Sequence, residues 1–322
     1  MKRAGIGSAL LLWMVPWMAL AAGDGPQVSF EQGDGSLAIG IGGQPFATYV
    51  WKDQNIPRPY FCGLRAPNGA QVTRNHPPIE GTDRTDHADY HPGLWLAFGD
   101  IDGADFWRNK ARVRHERFVK RPEGGAGAGS FSVENVYENA EGTDICREVC
   151  AYRFFVRPEG YLLLCDSTFS SAKGDFVFGD QEEMGLGVRV ATPLMVDNGG
   201  VITNSEGLKN EAEVWGKTAA WCDYGGVADG MRIGICLMPH PENFRPSWFH
   251  ARDYGLLLAN PFGRNAFTGA AKSAVKVRQG QTFVLRFGVL VYAAQPSEAA
   301  PGPKGYQDYL ALSKSTKKEE EE

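Results

Sequence analysis

The sequence predicts an all-β protein, a large double-sheet β-sandwich with one short helix near the C-terminus. Segments that alternate apolar and polar residues recur along the chain, as half-buried strands require. Turns rich in glycine and proline separate these segments at short intervals. The regular alternation of strands with long helical segments, which a parallel sheet needs, is missing from the pattern, so a sandwich is the predicted architecture.

The predicted strands follow one another from the N-terminus. The segment GSLAIGIGGQPFATYVW is expected to form two strands joined by a Gly-Gly turn. The segment YLLLCDSTFS returns after a Pro-Glu-Gly turn as the second strand of a hairpin. Between these segments, strands are predicted at residues 111 to 120, 130 to 138 and 146 to 156.

The clearest hairpin pattern lies near the C-terminus, in AVKVRQGQTFVLRFGVLVYA. Val275 and Val277 alternate with charged residues, and Gln279 and Gly280 are expected to form the turn. The second strand is apolar on both faces, which is typical of a strand inside a sandwich. The following segment GYQDYLALSK is the one whose pattern suggests a helix.

Residues 1 to 21 are predicted to be a cleaved signal peptide. Lys2 and Arg3 precede an apolar run, and Ala-Leu-Ala forms a small-x-small cleavage signal. The apolar run is shorter than the roughly 20 residues that a membrane-spanning helix needs. An uncleaved anchor is the alternative. We therefore expect an exported protein, either periplasmic or extracellular, that does not insert into the membrane after signal removal.

The remaining chain is predicted to form one domain over residues 22 to 312, with a charged, disordered tail over residues 313 to 322. We find no internal repeat and no low-complexity linker. The net charge is −5 and no basic stripe occurs, which argues against a nucleic-acid partner. The expected partner is a small sugar or a glycan, and the oligomeric state is left open.

Six cysteines in an exported chain raise the question of disulfide bonds. Cys146 and Cys150 are four residues apart in a predicted strand, roughly 13 Å, beyond the limit of about 7 Å between bridged Cα atoms. Hairpin register places Cys165 opposite Tyr152. We expect mostly buried free thiols, with bridges between distant strands left open.

Four segments combine polar, charged and aromatic residues in a way that plain strands do not. The first is DHADYHPGLWLAFGDIDGADFWRNK, in which His87 and His91 have helical spacing. Pro92 and Gly93 prevent a helix from continuing there, so the spacing is not a helical metal motif. Three interpretations of the two histidines remain. They are catalytic or contact a ligand, they belong to a metal site with a third ligand such as His250, or they are only hydrogen-bonded within a loop.

The second segment is GDQEEMGLGVRVATPL. Strand alternation places Arg189 on the same face as Gly185 and Gly187, and these glycines leave room for a long side chain or a ligand. Glu182 is the candidate carboxylate of this segment. The alternative is that this glutamate is a surface residue that forms an ion pair with Arg189.

The third and fourth segments are NSEGLKNEAEVWGKTAAWCDYGG and PHPENFRPSWFHARDYGLLLANPFGRN. Tryptophan beside charged groups suits a sugar, because the ring covers the apolar face while polar groups bind hydroxyls. The predicted substrate-binding residues are Trp107, Arg189, Asn204, Lys209, Trp215, Lys217, Asp223, Tyr224, Trp248, His250, Arg252 and Tyr254.

These segments, together with RPYFCGLRAPNGAQVTRNHPP, resemble the PmoA-like family of exported bacterial proteins of unknown function. The resemblance extends from about residue 28 to residue 295. It implies a large β-sandwich of the double-sheet type found in galactose mutarotase-like domains. The family's common label, methane oxygenase, is not carried over, because the methane monooxygenase subunit of that name is an integral membrane protein.

The leading hypothesis is an exported carbohydrate-active enzyme, a lyase, hydrolase or epimerase. Imidazole exchanges protons near neutral pH, so a histidine is the expected acid–base group beside a carboxylate. The candidate catalytic residues are His87, His91, Glu182, Glu206 and Asp105. A non-catalytic glycan-binding sandwich and a structural envelope protein are the alternatives. No cofactor is expected, although a divalent metal held by His87, His91 and His250 is left open.

Overall fold

The computed structural model describes residues 25–228 and 230–321. The predicted signal peptide lies outside the described residues, so export stays a prediction. Two large antiparallel sheets face each other, and a helix follows the last strand. The predicted all-β double-sheet sandwich with a short C-terminal helix is therefore confirmed.

The strands are numbered in chain order. They are β1 (Val28–Gln32), β2 (Ser36–Ile41), β3 (Gln44–Val50), β4 (Tyr60–Cys62), β5 (Leu94–Phe98), β6 (Arg112–Gly124), β7 (Ala128–Glu138), β8 (Asp144–Arg157), β9 (Gly160–Ser170), β10 (Phe176–Phe178), β11 (Met184–Arg189), β12 (Val201–Asn204), β13 (Lys217–Thr218), β14 (Cys222–Ala228), β15 (Met231–Pro239), β16 (Trp248–Arg252), β17 (Leu256–Asn260), β18 (Val275–Val277) and β19 (Thr282–Ala294). The α-helices are α1 (Asn210–Val214), α2 (Arg264–Thr268) and α3 (Gly302–Glu321), and two 3-10 turns lie at Thr192–Leu194 and Val196–Asn198.

We call the nine-stranded sheet the front sheet and the eight-stranded sheet the back sheet. The front sheet has the order β1-β2-β3-β4-β5-β11-β17-β16-β13. The back sheet has the order β12-β14-β15-β19-β9-β8-β7-β6. A small third sheet pairs β10 with β18.

The main hydrophobic core lies between the two large sheets. Met184, Leu186 and Val188 of β11 point into it, so the alternate positions of this strand face outward from the front sheet. Arg189 is one of these outward residues, as the alternation predicts. A shift of register by one residue would turn its guanidinium into the core, so the register of β11 is strongly specified.

The outward face of the front sheet is also covered. A second apolar cluster packs there and contains Ile56, Tyr60, Trp95, Ala97, Trp107, Leu256 and Leu258. A third cluster covers the outward face of the back sheet and includes Tyr292 of β19 and Tyr309 of α3. The helix α3 continues to Glu321, past the boundary at residue 312 that the sequence predicted.

The predicted C-terminal hairpin is wrong in its pairing. The chain does turn at Gly280, whose backbone φ is +75° and whose N–H donates to the carbonyl of Ser171. However, β18 pairs with β10, whereas β19 pairs with β9 and β15. A strand has only two hydrogen-bonding edges, and both edges of the apolar strand β19 are used inside the back sheet.

The cysteine prediction is confirmed. All six cysteines are free, and Cys165 lies opposite Tyr152 as the hairpin register predicts. Burial raises the pKa of the Cys146 thiol and of the Cys150 thiol well above the ordinary value, so both stay protonated. Among the described helices, none is both long enough and apolar enough to cross a lipid bilayer.

One buried carboxyl on the back sheet makes stability depend on pH. Burial raises the pKa of Asp223 from 3.8 to about 7, although a hydrogen bond from Tyr292 (2.9 Å) and the charge of Arg232 act against the rise. The folded state therefore keeps a proton that the unfolded state loses. Between about pH 4 and pH 7 the free energy of unfolding should fall by up to about 1.4 kcal/mol per pH unit from this group.

We expect Asp223→Asn to remove most of this slope, because the amide does not ionise. The measurement is urea unfolding of the wild type and the variant at several pH values. Asp34→Asn, at an exposed carboxyl, is the matched control and should keep the wild-type slope. Parallel pH profiles for the wild type and Asp223→Asn would contradict the prediction.

Candidate functional site

The outward face of the front sheet brings together residues from two of the predicted segments. Arg189 of β11 lies opposite Leu256 of β17, and Leu256 lies opposite Arg252 of β16. Neighbouring strands are about 4.8 Å apart, so the Cα atoms of the two arginines are separated by about 10 Å. One row across three strands therefore joins the two arginines that the sequence predicted as ligand contacts.

A second row explains the glycine in β11. Gly187 lies between Trp95 of β5 and Leu258 of β17. A Cβ atom at Gly187 would lie 3.0 Å from the Trp95 ring and 3.1 Å from the Trp107 ring. The space that the sequence predicted for a long side chain or a ligand is thus filled by Trp107. Because Trp107 is 1% exposed, it forms the floor of the site, which corrects its prediction as a substrate contact.

The loop over residues 84 to 91 is held from below by Arg74. Its guanidinium donates to the carbonyls of Arg84 (2.8 Å), Asp86 (2.7 Å), His91 (3.2 Å) and His87 (3.5 Å). Burial, assisted by the charge of Arg189, lowers the pKa of Arg74 to about 10, so the guanidinium stays charged at neutral pH. The carbonyls of the loop therefore point inward.

A second buried guanidinium supports the same loop. Arg58 donates to the carbonyl of Tyr90 at 2.6 Å and lies near that of Trp107 at 3.5 Å. Burial lowers the pKa of Arg58 to about 10. Within residues 25–228 and 230–321, its Nε and Nη1 atoms have no hydrogen-bond partner.

The two histidines of the loop stack on each other. No helix forms over residues 86 to 95, as Pro92 and Gly93 predict, but one turn remains because the His91 N–H donates to the His87 carbonyl (2.9 Å). His87 adopts a left-handed φ of +52°. The ring centroids of His87 and His91 are 5.0 Å apart, and those of His91 and Trp95 are 5.2 Å apart.

Asp86 is the centre of the polar site. Its carboxylate accepts two hydrogen bonds from Arg189 (2.8 and 3.1 Å) and lies 2.9 Å from His87 Nδ1. Partial burial acts to raise the pKa of Asp86, but the hydrogen bonds from Arg189 and His87 and the charges of Arg189 and Arg74 hold the pKa below its usual value. The carboxylate is therefore ionised at neutral pH.

This geometry fixes the tautomer of His87. The Asp86 carboxylate can only accept, so the proton of neutral His87 lies on Nδ1 and Nε2 carries the free lone pair. The His87 side chain is 49% exposed, and no described residue bonds its Nε2. His87 is thus arranged to take a proton from a molecule bound at the surface.

His91 is placed for a different role. It is 3% exposed, and burial, followed by the charge of Arg189, holds the pKa of His91 well below its ordinary value. Arg189 Nη1 lies 3.3 Å from His91 Nδ1, which must therefore accept. The buried, neutral ring of His91 positions His87 and Arg189, which corrects the prediction that it exchanges protons itself.

Tyr254 closes the site on the side of Arg189. The guanidinium of Arg189 lies 4.6 Å from the Tyr254 ring centroid, and that of Arg84 lies 5.2 Å from it. Tyr254 is half-buried, and its ring packs against both of these guanidiniums. The prediction that Tyr254 is a ligand contact fits this position.

The other end of the row is built around Arg252. Its Nη1 bonds Glu211 (2.7 Å), its Nε donates to His250 Nε2 (2.9 Å), and its Nη2 lies 3.9 Å from Glu182. Burial, assisted by Arg252, lowers the pKa of His250 to about 4. His250 is consequently neutral and supports Arg252 from below.

Glu211 is a site residue that the sequence analysis missed. Its Oε2 accepts from the Asp253 N–H (3.0 Å), and Asp253 Oδ1 accepts from the Glu211 N–H (2.8 Å). These reciprocal bonds hold the short helix α1 on the turn that contains Tyr254. The partners are 42 residues apart in the sequence, so no local pattern could reveal the pairing.

Two tryptophans flank Phe267 of α2 beside His250. Ring centroids of Trp215 and Phe267 are 5.4 Å apart, and those of Trp248 and Phe267 are 6.3 Å apart. Both tryptophans are half-buried, and Arg252 lies over the Trp215 ring at 5.8 Å. The structure thus groups Trp215, Trp248 and Arg252, and their role as a sugar platform stays a prediction.

Two predicted catalytic carboxylates are used elsewhere. Asp105 accepts from the backbone N–H groups of Trp107 (3.1 Å) and Arg108 (2.9 Å) and forms an ion pair with the Arg108 side chain. Glu206 is exposed at a turn and accepts from the Ser205 hydroxyl at 2.9 Å. Turn formation occupies Asp105, and Glu206 lies in the turn that follows β12 of the back sheet, whereas the loop of His87 lies over the front sheet.

Three predicted substrate contacts belong to the back sheet. Asn204 is buried and caps its own turn by accepting from Glu206 N–H and Leu208 N–H. Asp223 is 4% exposed and bonds Tyr292. Tyr224 is fully buried, and its hydroxyl donates to the Asp253 carbonyl at 2.8 Å. The prediction is corrected for all three, because burial prevents contact with a ligand.

Two predicted lysine contacts lie at the margin. Lys217 is exposed on the edge strand β13, and Lys209 is exposed just before α1. Among the described residues, no three His, Cys, Asp or Glu side chains are arranged to hold a metal ion. His87, His91 and His250 therefore do not form a group that could hold a metal ion. His250 Nε2 instead accepts a hydrogen bond from Arg252.

The sequence comparison gives the family. Residues 36–301 match the profile described as a family of unknown function, DUF6807. The chain belongs to this family. The PmoA-like label predicted for the DUF6807 chain does not follow from the match and stays a prediction. A comparison of its sequence with curated proteins finds no significant match.

Solved structures with a similar chain course are distant from the DUF6807 chain. A heparan sulfate lyase HepC mutant from Pedobacter heparinus has 8% identity and a TM-score of 0.37, covering 85% of this chain and 36% of its own. The alpha-galactosidase from Lactobacillus brevis has 9% identity and a TM-score of 0.37, with coverages of 82% and 39%. The chain thus spans little more than a third of these two enzymes.

A galactose mutarotase related enzyme from Lactobacillus acidophilus is matched over nearly its whole length. The identity is 8% and the TM-score is 0.33, with coverages of 84% of the DUF6807 chain and 98% of the enzyme. Identities and TM-scores this low do not indicate a similar activity for any of the three enzymes.

We expect Arg74→Ala to destabilise the loop over residues 84 to 91 more than the rest of the fold. Four carbonyls would lose a charged donor, and the free energy of unfolding should fall by about 2 to 4 kcal/mol. Urea unfolding and amide hydrogen exchange measure the two effects. Arg65→Ala, which removes an arginine bonded to one carbonyl at 3.0 Å, is the control. An equal loss of unfolding free energy in Arg74→Ala and Arg65→Ala would refute the special role of Arg74.

Proposed function

We propose that this chain is a carbohydrate-active enzyme in which His87, oriented by Asp86, transfers the proton. The observation that supports the proposal most is the placement of Asp86, which bonds His87 Nδ1 and is itself held by two hydrogen bonds from Arg189. A carboxylate behind an imidazole fixes its tautomer and stabilises the protonated ring. A positioned general base of this kind contributes about 100- to 10,000-fold to a rate.

The rigidity of the site also supports proton transfer. His87 rests on the stacked rings of His91 and Trp95, and its backbone is fixed by the inward carbonyls on Arg74. Geometry held in advance lowers the barrier, because no reorganisation is needed when the reaction occurs.

The proposed substrate class follows from the half-buried aromatic rings. Trp215, Trp248 and Tyr254 lie on the same face as His87, beside Arg252 and the half-buried Glu182. Aromatic rings bind the apolar face of a sugar, and the neighbouring charged groups bind its hydroxyls. Export by the predicted signal peptide is part of the proposal, since extracellular glycans would then be accessible.

Within this proposal, proton abstraction is favoured over hydrolysis. Glycoside hydrolysis generally needs two carboxylates across the scissile bond. Both oxygens of Asp86 and of Glu211 are already bonded within the protein. Glu182 alone does not make a pair, so a lyase or epimerase reaction fits the arrangement better.

A second candidate is a non-catalytic glycan-binding protein. The observation that favours it is the aromatic group of Trp215, Trp248 and Phe267, which could bind a sugar without help from His87. Trp215→Ala should then abolish binding in calorimetry, and His87→Gln should leave the affinity unchanged.

The enzyme proposal is tested with His87→Gln and Asp86→Asn. Assayed against a panel of neutral and acidic glycans, each variant should lower kcat by about 100-fold or more, because the proton acceptor or its orientation is lost. Asp89→Asn, at an exposed carboxyl of the same loop, is the matched control and should retain activity. Turnover by His87→Gln at the wild-type rate would disprove the role of His87.

A further inference from the structure

Three guanidiniums lie buried beneath the surface that His87 and Tyr254 form. Arg58, Arg74 and Arg189 are each no more than 2% exposed. Asp86 bonds Arg189 and lies 3.7 Å from Arg74, while the hydrogen bonds of Arg58 go to backbone carbonyls alone. In the described structure, one carboxylate thus directly contacts two of the three buried cations, and positive charge lies directly beneath His87.

This charge distribution discriminates between reaction classes. Hydrolysis of a glycoside passes through an oxocarbenium-like state that develops positive charge. Removal of a proton next to a carboxylate develops negative charge on carbon and oxygen. Fixed positive charge in a site of low dielectric stabilises the second and opposes the first.

Tyr254 is the candidate acid of the site, because it packs on Arg189, the guanidinium that Asp86 bonds. The guanidiniums of Arg189 and Arg84 lie 4.6 Å and 5.2 Å from its ring centroid, and the residue is half-buried at the surface of the site. Burial raises the pKa of Tyr254 above its ordinary value, although the charges of Arg189 and Arg252 act to lower it. The hydroxyl is therefore protonated at neutral pH and can donate.

Two further guanidiniums beside Tyr254 reach the surface. The Arg84 side chain is 48% exposed and lies over the ring, and the Arg252 side chain is 28% exposed and precedes Tyr254 by two residues. Arginine binds carboxylates through paired hydrogen bonds. Arg84 already pairs with Asp197 (3.2 Å) and Arg252 with Glu211 (2.7 Å), so a carboxylate on a bound sugar would share these guanidiniums with their protein partners.

We infer that the substrate is a uronate-containing glycan and that it is cleaved by β-elimination, with His87 as base and Tyr254 as acid. The inference rests on the proposed function and names its substrate and reaction. His87 Nε2 takes the proton from C5 of the uronate, and the electron pair of that C–H bond forms the C4=C5 double bond. The C4–O bond breaks, and the departing oxygen takes the proton of the Tyr254 hydroxyl. No oxidant or reductant is involved, and proton exchange with water restores both groups.

The test uses the purified full chain with polygalacturonate, alginate and hyaluronan as probes. The expected result is growth of the ultraviolet absorbance of the conjugated C4=C5 uronate with at least one probe, at the same rate as new reducing ends. The carboxyl-reduced form of that probe should give neither signal. Absence of the unsaturated product from all three uronate polymers overturns the inference.

Tyr254→Phe tests the acid separately, since it removes the hydroxyl and keeps the ring that packs on Arg189. It should lower kcat by about 100-fold or more on the active uronate without changing the melting temperature. Tyr306→Phe, the same change on α3, is the control and should keep full activity. Wild-type elimination by Tyr254→Phe would overturn the assignment of the acid.

The inference and the proposed function fail in distinguishable ways. Turnover of a neutral glycan that His87→Gln abolishes, without any unsaturated product from uronates, overturns the inference and leaves the proposed function intact. Absence of turnover that depends on His87, on neutral and acidic glycans alike, overturns both.

Discussion

The site depends on the buried guanidinium of Arg74 and on the four carbonyls that it bonds. Without Arg74, the inward carbonyls of Arg84, Asp86 and His91 would lose this donor, at a cost of about 1 to 3 kcal/mol for each, whereas the His87 carbonyl also accepts from the His91 N–H. Arg74 supplies the donors from one rigid group. The side chains of Asp86 and His87 are then directed outward, and the left-handed backbone of His87 is maintained.

From Asp86 a continuous set of contacts extends across the sheet. Asp86 holds Arg189, Arg189 packs on Tyr254, and Tyr254 lies in the turn that Glu211 fixes through Asp253. Each contact joins a different element, so the site is rigid although its residues come from loops, strands and a short helix. The charged guanidinium of Arg74 lies below the surface and the ionised carboxylate of Asp86 lies at the surface, so the two charges of the site are arranged one above the other.

The sequence predicts the architecture better than the site. Alternation in β11 predicts the outward face of Arg189, and Pro92 predicts the absence of a helix, because both follow from local geometry. Burial of Trp107 and pairing of Glu211 with Asp253 depend on residues distant in sequence, and no local pattern contains them. The predicted pairing of β19 was wrong for the same reason. A short, alternating hairpin pattern cannot show that β9 and β15 occupy both hydrogen-bonding edges of β19.

The contacts of Arg74 have a consequence for how this surface can change during evolution. Carbonyl groups are common to all twenty amino acids, so the guanidinium specifies the path of the loop without specifying its side chains. Exposed positions such as Asp89 can therefore be exchanged while the backbone keeps its course. A change of side chain at such a position alters the outward surface without removing the hydrogen bonds that set the path of the loop.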